Sequence, residues 1–241
     1  LYGIISVKKS FSAGDWLKLA TKKINKVLKK GKTVIIVGGT GLYFKALLDG
    51  LVEIPNIPKS YRDRIRNDHK KLGQKKFYKK LLKLDPYVKR FISENDSHRS
   101  LRAYEVKKFT KKSLYLWFKN TKSNFPEGIF KKIFLNTPRI KLIEKINLRV
   151  DKMFKQGAQL EVKNFLKKKI KQDMSAHRII GVKEISKHLS KKLSLDEAKN
   201  LIKIRTRQYA KRQFTWARGK MTSWEKIEPL NYKKLLKTVI K

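Results

Sequence analysis

The sequence predicts an α/β core with a parallel sheet, interrupted by a helical insertion. LYGIISV at the start and TVIIV at Thr33–Val37 are apolar, largely β-branched runs, the pattern of strands buried on both faces of a parallel sheet. A helical stripe lies between them and another follows, so the order β-α-β-α is that of a doubly wound or nucleoside-kinase-like core. From about residue 57 to residue 130 strand-like runs disappear and basic, helix-forming patterns replace them.

Taken in order, Leu1 opens directly in an apolar run with neither a methionine nor a turn before it, so a chain cut short at its N-terminus is expected. Ser12 with Asp15 has capping-box spacing, and Leu17, Ala20, Ile24, Val27 and Leu28 keep a helical stripe until Gly31. Thr33–Val37 is expected mid-sheet. Gly38, Gly39 and Gly41 follow with Thr40 among them, and Leu42–Leu51 resumes as a short helix ended by Gly50. Strand, glycine turn and helix bring backbone N–H groups up to a phosphate or a substrate. The same glycines equally fit a tight turn that needs φ > 0.

Pro55 and Pro58 punctuate a loop, and Ser60 with Asp63 opens basic helices that reach about Lys112, the first carrying Tyr61, Arg62, Arg64 and Arg66. Asn95 or Asp96 caps a helix whose first turns hold His98, Arg99 and Arg102. Cations there oppose the helix dipole at a cost of about 0.3–1 kcal/mol when exposed, and a phosphate partner reverses that sign. Lys131–Asn136 reads as a strand and Pro138 as the turn into a helix over Arg139–Lys155. Arg149 falls within the stripe Leu142, Ile146 and Met153 of that helix, which makes it either a structural ion-pair member or an anion ligand. Helix resumes from Gln156, and Ser194 with Glu197 caps a last long helix on which Tyr209, Phe214 and Trp216 interleave with basic residues, a stacking-plus-phosphate pattern for RNA. The alternative for those aromatics is the core, above all for Phe214.

The 62 Lys and Arg against 19 Asp and Glu give a formal charge of +43, which points to a polyanionic partner, nucleic acid first. Lysine, at 49 residues, supplies most of it, so the 13 arginines carry more information. Arg99, Arg102, Arg149, Arg178, Arg205, Arg207, Arg212 and Arg218 fall in or beside the segments just described, where a planar fork can grip phosphate or a base. With no cysteine and four scattered histidines, no disulfide or transition-metal site is expected. No apolar run approaches a membrane span, and a cytoplasmic protein is the expectation.

Three segments also resemble a family in order and spacing. GGTGLYFKALLDGL from Gly38, NDSHRSLRAYEV from Asn95 and RTRQYAKRQFTWARG from Arg205 look like segments of the tRNA dimethylallyltransferases, and HRIIGVKEI from His177 resembles a fourth, with Val182 where an aromatic is usual. The resemblance implies a P-loop nucleoside-kinase-like core over residues 1–56 and 131–241, with a helical insertion contacting tRNA over 57–130. It implies transfer of a dimethylallyl group from dimethylallyl diphosphate to the adenine 3′ to the anticodon, in tRNAs reading codons that begin with U, with Mg²⁺ and acting as a monomer. Thr40 and Arg149 would be catalytic, and Gly38, Gly39 and Arg149 would bind diphosphate. The tRNA anticodon stem-loop would meet Thr40, Arg62, His98, Arg99, Ser100, Leu101, Arg102, Arg178, Ile179, Ile180, Gly181, Val182, Lys211, Arg212, Gln213, Phe214, Thr215, Trp216, Ala217 and Arg218. The sequence departs from the family in holding no GxxxxGK[ST] loop and no aspartate after it. That departure makes an inactive tRNA-binding fragment one alternative; a nucleotide kinase or NTPase of the same core fold, marked by such a loop, is the other.

Overall fold

The first helix forms where its cap is written into the chain. In the computed structural model, which describes residues 1–172, 174–229 and 236, Ser12 accepts from the Asp15 N–H at 3.1 Å while Asp15 accepts from the Ser12 N–H at 2.9 Å. Helix α1 runs Ala13–Leu28 and buries Leu17, Ala20 and Ile24, as the stripe predicts. Helix α2 is Gly41–Asp49, followed by Gly50 at φ +84°. The chain divides into two compact units, Leu1–Phe44 with Glu127–Lys241, and Lys45–Pro126.

The second unit is helical. Helix α3, Lys59–Leu84, starts behind Pro58, so Ser60 is not its cap, and it breaks at Gly73, whose φ of +73° and ψ of 163° only glycine adopts readily. A 3₁₀ turn, Pro86–Arg90, leads to α4, Ser97–Thr110, and α5, Leu114–Phe118. Helices α3 and α4 enclose Ile65, Phe77, Tyr78, Leu81, Ala103 and Val106. The Tyr78 hydroxyl donates to the Ile92 carbonyl at 2.7 Å, which satisfies the polar end of a buried ring.

In the first unit the strand β1, Ile133–Leu135, pairs in parallel with β2, Glu225–Ile227, in the register Ile133 to Glu225 and Leu135 to Ile227. Helix α6, Arg139–Lys155, has the predicted bounds, and α7, Ala158–Lys167, α8, Val182–Leu189, and α9, Leu195–Lys220, complete the bundle. Val150, Val162, Ile185 and Ile202 form its core, and the Lys203 ammonium meets Asp151 at 2.9 Å across α6 and α9. The fold is thus α/β with a small parallel sheet and many helices.

Two expectations fail here. Leu1–Val7 and Thr33–Val37 are not in strand, and Ile35 and Val37 remain 67% and 79% exposed rather than buried mid-sheet. A strand exists only through its ladder, and among the described residues neither run is paired with a neighbouring strand; β-branched composition makes a run ready to pair without supplying the partner. Among the described residues no helix is long and apolar enough to cross a membrane.

Candidate active site and RNA-facing surfaces

The glycine turn needs its glycines for space. None of Gly38, Gly39 and Gly41 has a positive φ, which corrects the turn-strain alternative. Instead a Cβ at Gly39 would meet the Gln213 carboxamide, and one at Gly41 would run into the Trp216 indole. The turn at residues 38–41 is therefore pressed against the last third of α9, and two motifs 170 residues apart become one surface within the first unit. Phe214 sets that end of α9 by meeting Phe134 of β1 edge to face, its ring centroid 5.5 Å away.

Thr40 sits half-buried at the head of α2, where its carbonyl accepts from the Tyr43 N–H at 2.9 Å. The Thr40 hydroxyl has no hydrogen-bond partner among the described residues, and Thr40 is one of the residues lining a cleft of about 690 Å³. Trp16 and Tyr43, stacked with centroids 4.2 Å apart and planes 6° from parallel, line this cleft with Gly38, Gly39 and Phe44. Among the described residues Lys23 is the one charged side chain that lines it.

Arg149 is a correction. It lies exposed on α6, because the buried stripe runs through Ile146 and Val150 and leaves residue 149 on its flank. Among the described residues Arg149 has no ion-pair partner, so the structural ion-pair alternative has no support.

On α9 Lys211, Arg212, Thr215 and Arg218 are exposed, with the Arg212 guanidinium 5.6 Å from the centre of the Tyr209 ring. Gln213, Phe214 and Trp216 are half-buried, and Ala217 is buried. Arg178 and Ile179 are exposed, while Ile180 and Val182 are partly covered and Gly181 is buried at φ +106°. The Gly181 N–H donates to Glu184 at 2.9 Å, and Glu184, itself buried, pairs with Arg205 of α9.

In the second unit Asp96 caps α4 by accepting from the Arg99 N–H at 3.0 Å, as expected. His98, Arg99 and Arg102 face outward, but Ser100 is fully buried and accepts from Gln74 at 3.3 Å, and Leu101 is partly buried, so Ser100 cannot touch RNA from this position. Arg66 of α3 and Arg102 of α4 converge on one buried carboxylate, Glu105, at 3.4 and 3.8 Å. Burial holds the Arg102 pKa below the ordinary guanidinium value; Glu105 pulls it up and neighbouring Arg62 pushes it down. Sequence reasoning missed Glu105, Glu184 and Arg66. The signal for the first two was their scarcity among 19 acids and their placement three residues after Arg102 and Gly181.

The family model for IPP transferase matches residues 1–220 of the chain. The chain belongs to the IPP transferase family. It is 52% identical to a tRNA dimethylallyltransferase of Pelagibacter ubique over all of its own length and 78% of that protein's, and 40% identical to one of Rickettsia massiliae over all of its length and 67% of the other's. Among solved structures it is similar to a tRNA isopentenylpyrophosphate transferase of Bacillus halodurans, with a TM-score of 0.63, 29% identity, and 98% and 74% of the two chains covered. A eukaryotic dimethylallyltransferase acting on tRNA shares the fold, with a TM-score of 0.73, 24% identity, and 88% and 54% covered.

Proposed function

We propose that this IPP transferase family member transfers the dimethylallyl group of dimethylallyl diphosphate to the exocyclic amine of the adenine 3′ to the anticodon, in tRNAs reading codons that begin with U. The observation that carries the reading is the closure of the glycine turn onto Gln213 and Trp216, which joins a phosphate-competent turn to an aromatic, arginine-rich helix in one unit. The reaction breaks the allylic C–O bond, with the electron pair leaving on diphosphate, and forms a C–N bond as the amine loses a proton. In this reading the residue 38–40 N–H groups and the start of α2 face the leaving oxygens, and Thr40 holds the amine against the allylic carbon. Trp216 and Gln213 receive the adenine once it has left its stack.

Arg149 binds diphosphate from an exposed position, while Arg62, His98, Arg99, Arg102, Arg178, Lys211, Arg212 and Arg218 meet the anticodon stem-loop. A P-loop kinase-like core, a monomeric state and a cytoplasmic location belong to the same proposal. Mg²⁺ is the expected companion of a diphosphate, which would hold it largely through the substrate's own oxygens and water; among the described residues no group of three or more His, Asp or Glu is gathered, and none of these roles passes through the metal.

The test is to incubate the protein with dimethylallyl diphosphate, Mg²⁺ and such a tRNA, and to digest the RNA. Mass spectrometry should find isopentenyladenosine. Bound but unmodified tRNA would reject the transferase reading.

A further inference from the structure

Glu105 is the best-shielded acid facing the arginines of the second unit, its side chain 4% exposed between α3 and α4. A carboxylate in that position survives only if cations compensate it, and one arginine would suffice. Here Arg66 and Arg102 both close on it, and Arg62, one turn before Arg66 on α3, lies near enough to Arg102 to disfavour its charge. The Arg62 Nε is buried with no hydrogen-bond partner among the described residues, a donor left waiting. The side chains of Arg66 and Arg102 are half in solvent, at 53% and 44%, and so within reach of a ligand. Three guanidiniums against one carboxylate leave a local surplus of two positive charges. On a chain with 49 lysines, general basicity does not explain why all three groups are the planar, forked cation. The packing of α3 on α4 gains nothing from the surplus, since like charges held together repel.

We propose that Arg62, Arg66 and Arg102 form one phosphodiester-binding site whose geometry is held by the buried carboxylate of Glu105, and that an RNA backbone phosphate occupies it. The proposal rests on the tRNA reading above and adds to it Arg66 as a ligand and Glu105 as a positioning residue. Glu105 offsets the repulsion among the guanidiniums before RNA arrives and fixes the directions in which their outer N–H groups point. An incoming phosphate then meets an ordered fork, with less side-chain freedom left to lose.

The whole chain is titrated with a fluorescein-labelled anticodon stem-loop RNA by anisotropy between about 50 and 200 mM salt. Arg66→Gln should raise Kd about tenfold and flatten the slope of log K against log salt by about 0.7–0.9, the loss of one neutralised phosphate. Glu105→Gln gives the sharper test, because it raises the net charge by one. Charge alone predicts tighter binding, whereas loss of positioning predicts binding weakened about three- to tenfold. Unchanged or tighter binding by a folded Glu105→Gln variant overturns the proposal. If that variant fails to fold, Arg66→Lys decides: it keeps the charge on a half-exposed side chain, and an affinity equal to the parent's overturns the site. A parent chain that binds the stem-loop while all variants match it defeats this site alone; a parent that does not bind the stem-loop defeats the tRNA reading as well.

Discussion

Substituting alanine at Gly41 sets two physical effects of opposite sign against each other. Gly41 opens α2 with a negative φ, so on helix propensity alone alanine should stabilise the chain by about 1 kcal/mol. Against this, three atoms of the Trp216 indole lie within 2.6 Å of where the Cβ would stand, so the methyl group cannot enter unless the ring moves. The indole is one rigid plate on a helix anchored by its buried neighbour Ala217, and overpacking of this kind costs about 1–3 kcal/mol. The steric cost wins. Gly41→Ala should be less stable by about 1 kcal/mol, which lowers the thermal midpoint by about 2–4 °C for a chain of this size. With the ring displaced, stem-loop affinity should also fall. Gly39→Ala is the internal control: the obstructing group is the mobile carboxamide of Gln213, which can rotate away, so its loss of stability should be smaller. Scanning calorimetry with RNA titration on both variants is the assay. A Gly41→Ala protein as stable as its parent, with unchanged RNA affinity, would show that the turn and α9 are not in contact and would remove the main geometric support for the site.

Alanine at Gly73, where φ is +73° and ψ is 163°, should cost about 1–3 kcal/mol of stability in calorimetry, although no neighbouring atom obstructs the new methyl group. Arg149→Ala should move the melt by less than about 0.5 kcal/mol, since the side chain is exposed, yet raise the KM for dimethylallyl diphosphate or lower kcat about tenfold or more in steady-state assays, with tRNA affinity retained. Ser194→Ala should cost about 1 kcal/mol by removing the α9 cap. Hydrogen bonds from Ser194 hold the Glu197 carboxyl below its ordinary 4.5, and those from Ser12 hold Asp15 below 3.8. A depressed carboxyl stabilises the fold above its unfolded-state pKa, so both caps should be intact at neutral pH and weaken as pH falls below about 4, which acid melts of the parent and of Ser194→Ala would show as a shrinking difference.

The helices were legible because their signals are local. Ser12 with Asp15, Asp96 before Arg99, and Ser194 with Glu197 each satisfy the first N–H groups of a helix within one turn, and Pro138 marks the start of α6 to the residue. The predicted strands failed because pairing is not local: Thr33–Val37 has strand composition and no strand neighbour among the described residues, while Ile133–Leu135 found Glu225–Ile227 about 90 residues on. The motifs of the site were readable as segments, but not their meeting. That Gly39 and Gly41 are small because Gln213 and Trp216 press on them is a long-range fact with no periodic trace. Arg149 was misjudged for a plainer reason. A stripe drawn through Leu142, Ile146 and Met153 admits residue 149, whereas the packed stripe turns through Val150, and one position decides whether a guanidinium is inside or out.

The most direct test of the central claim is a paired measurement on one reaction mixture containing dimethylallyl diphosphate with a labelled allyl group, Mg²⁺ and tRNA. Label in the tRNA and free diphosphate are followed together, with a second tRNA carrying guanine in place of the adenine 3′ to the anticodon. Transfer as described predicts label and diphosphate appearing in equal amounts with the first tRNA and neither with the second. Retained tRNA with no label would mark a binding protein, and, in a control mixture holding ATP and Mg²⁺ but no tRNA, turnover of the ATP would mark a kinase or NTPase; either result would contradict the account.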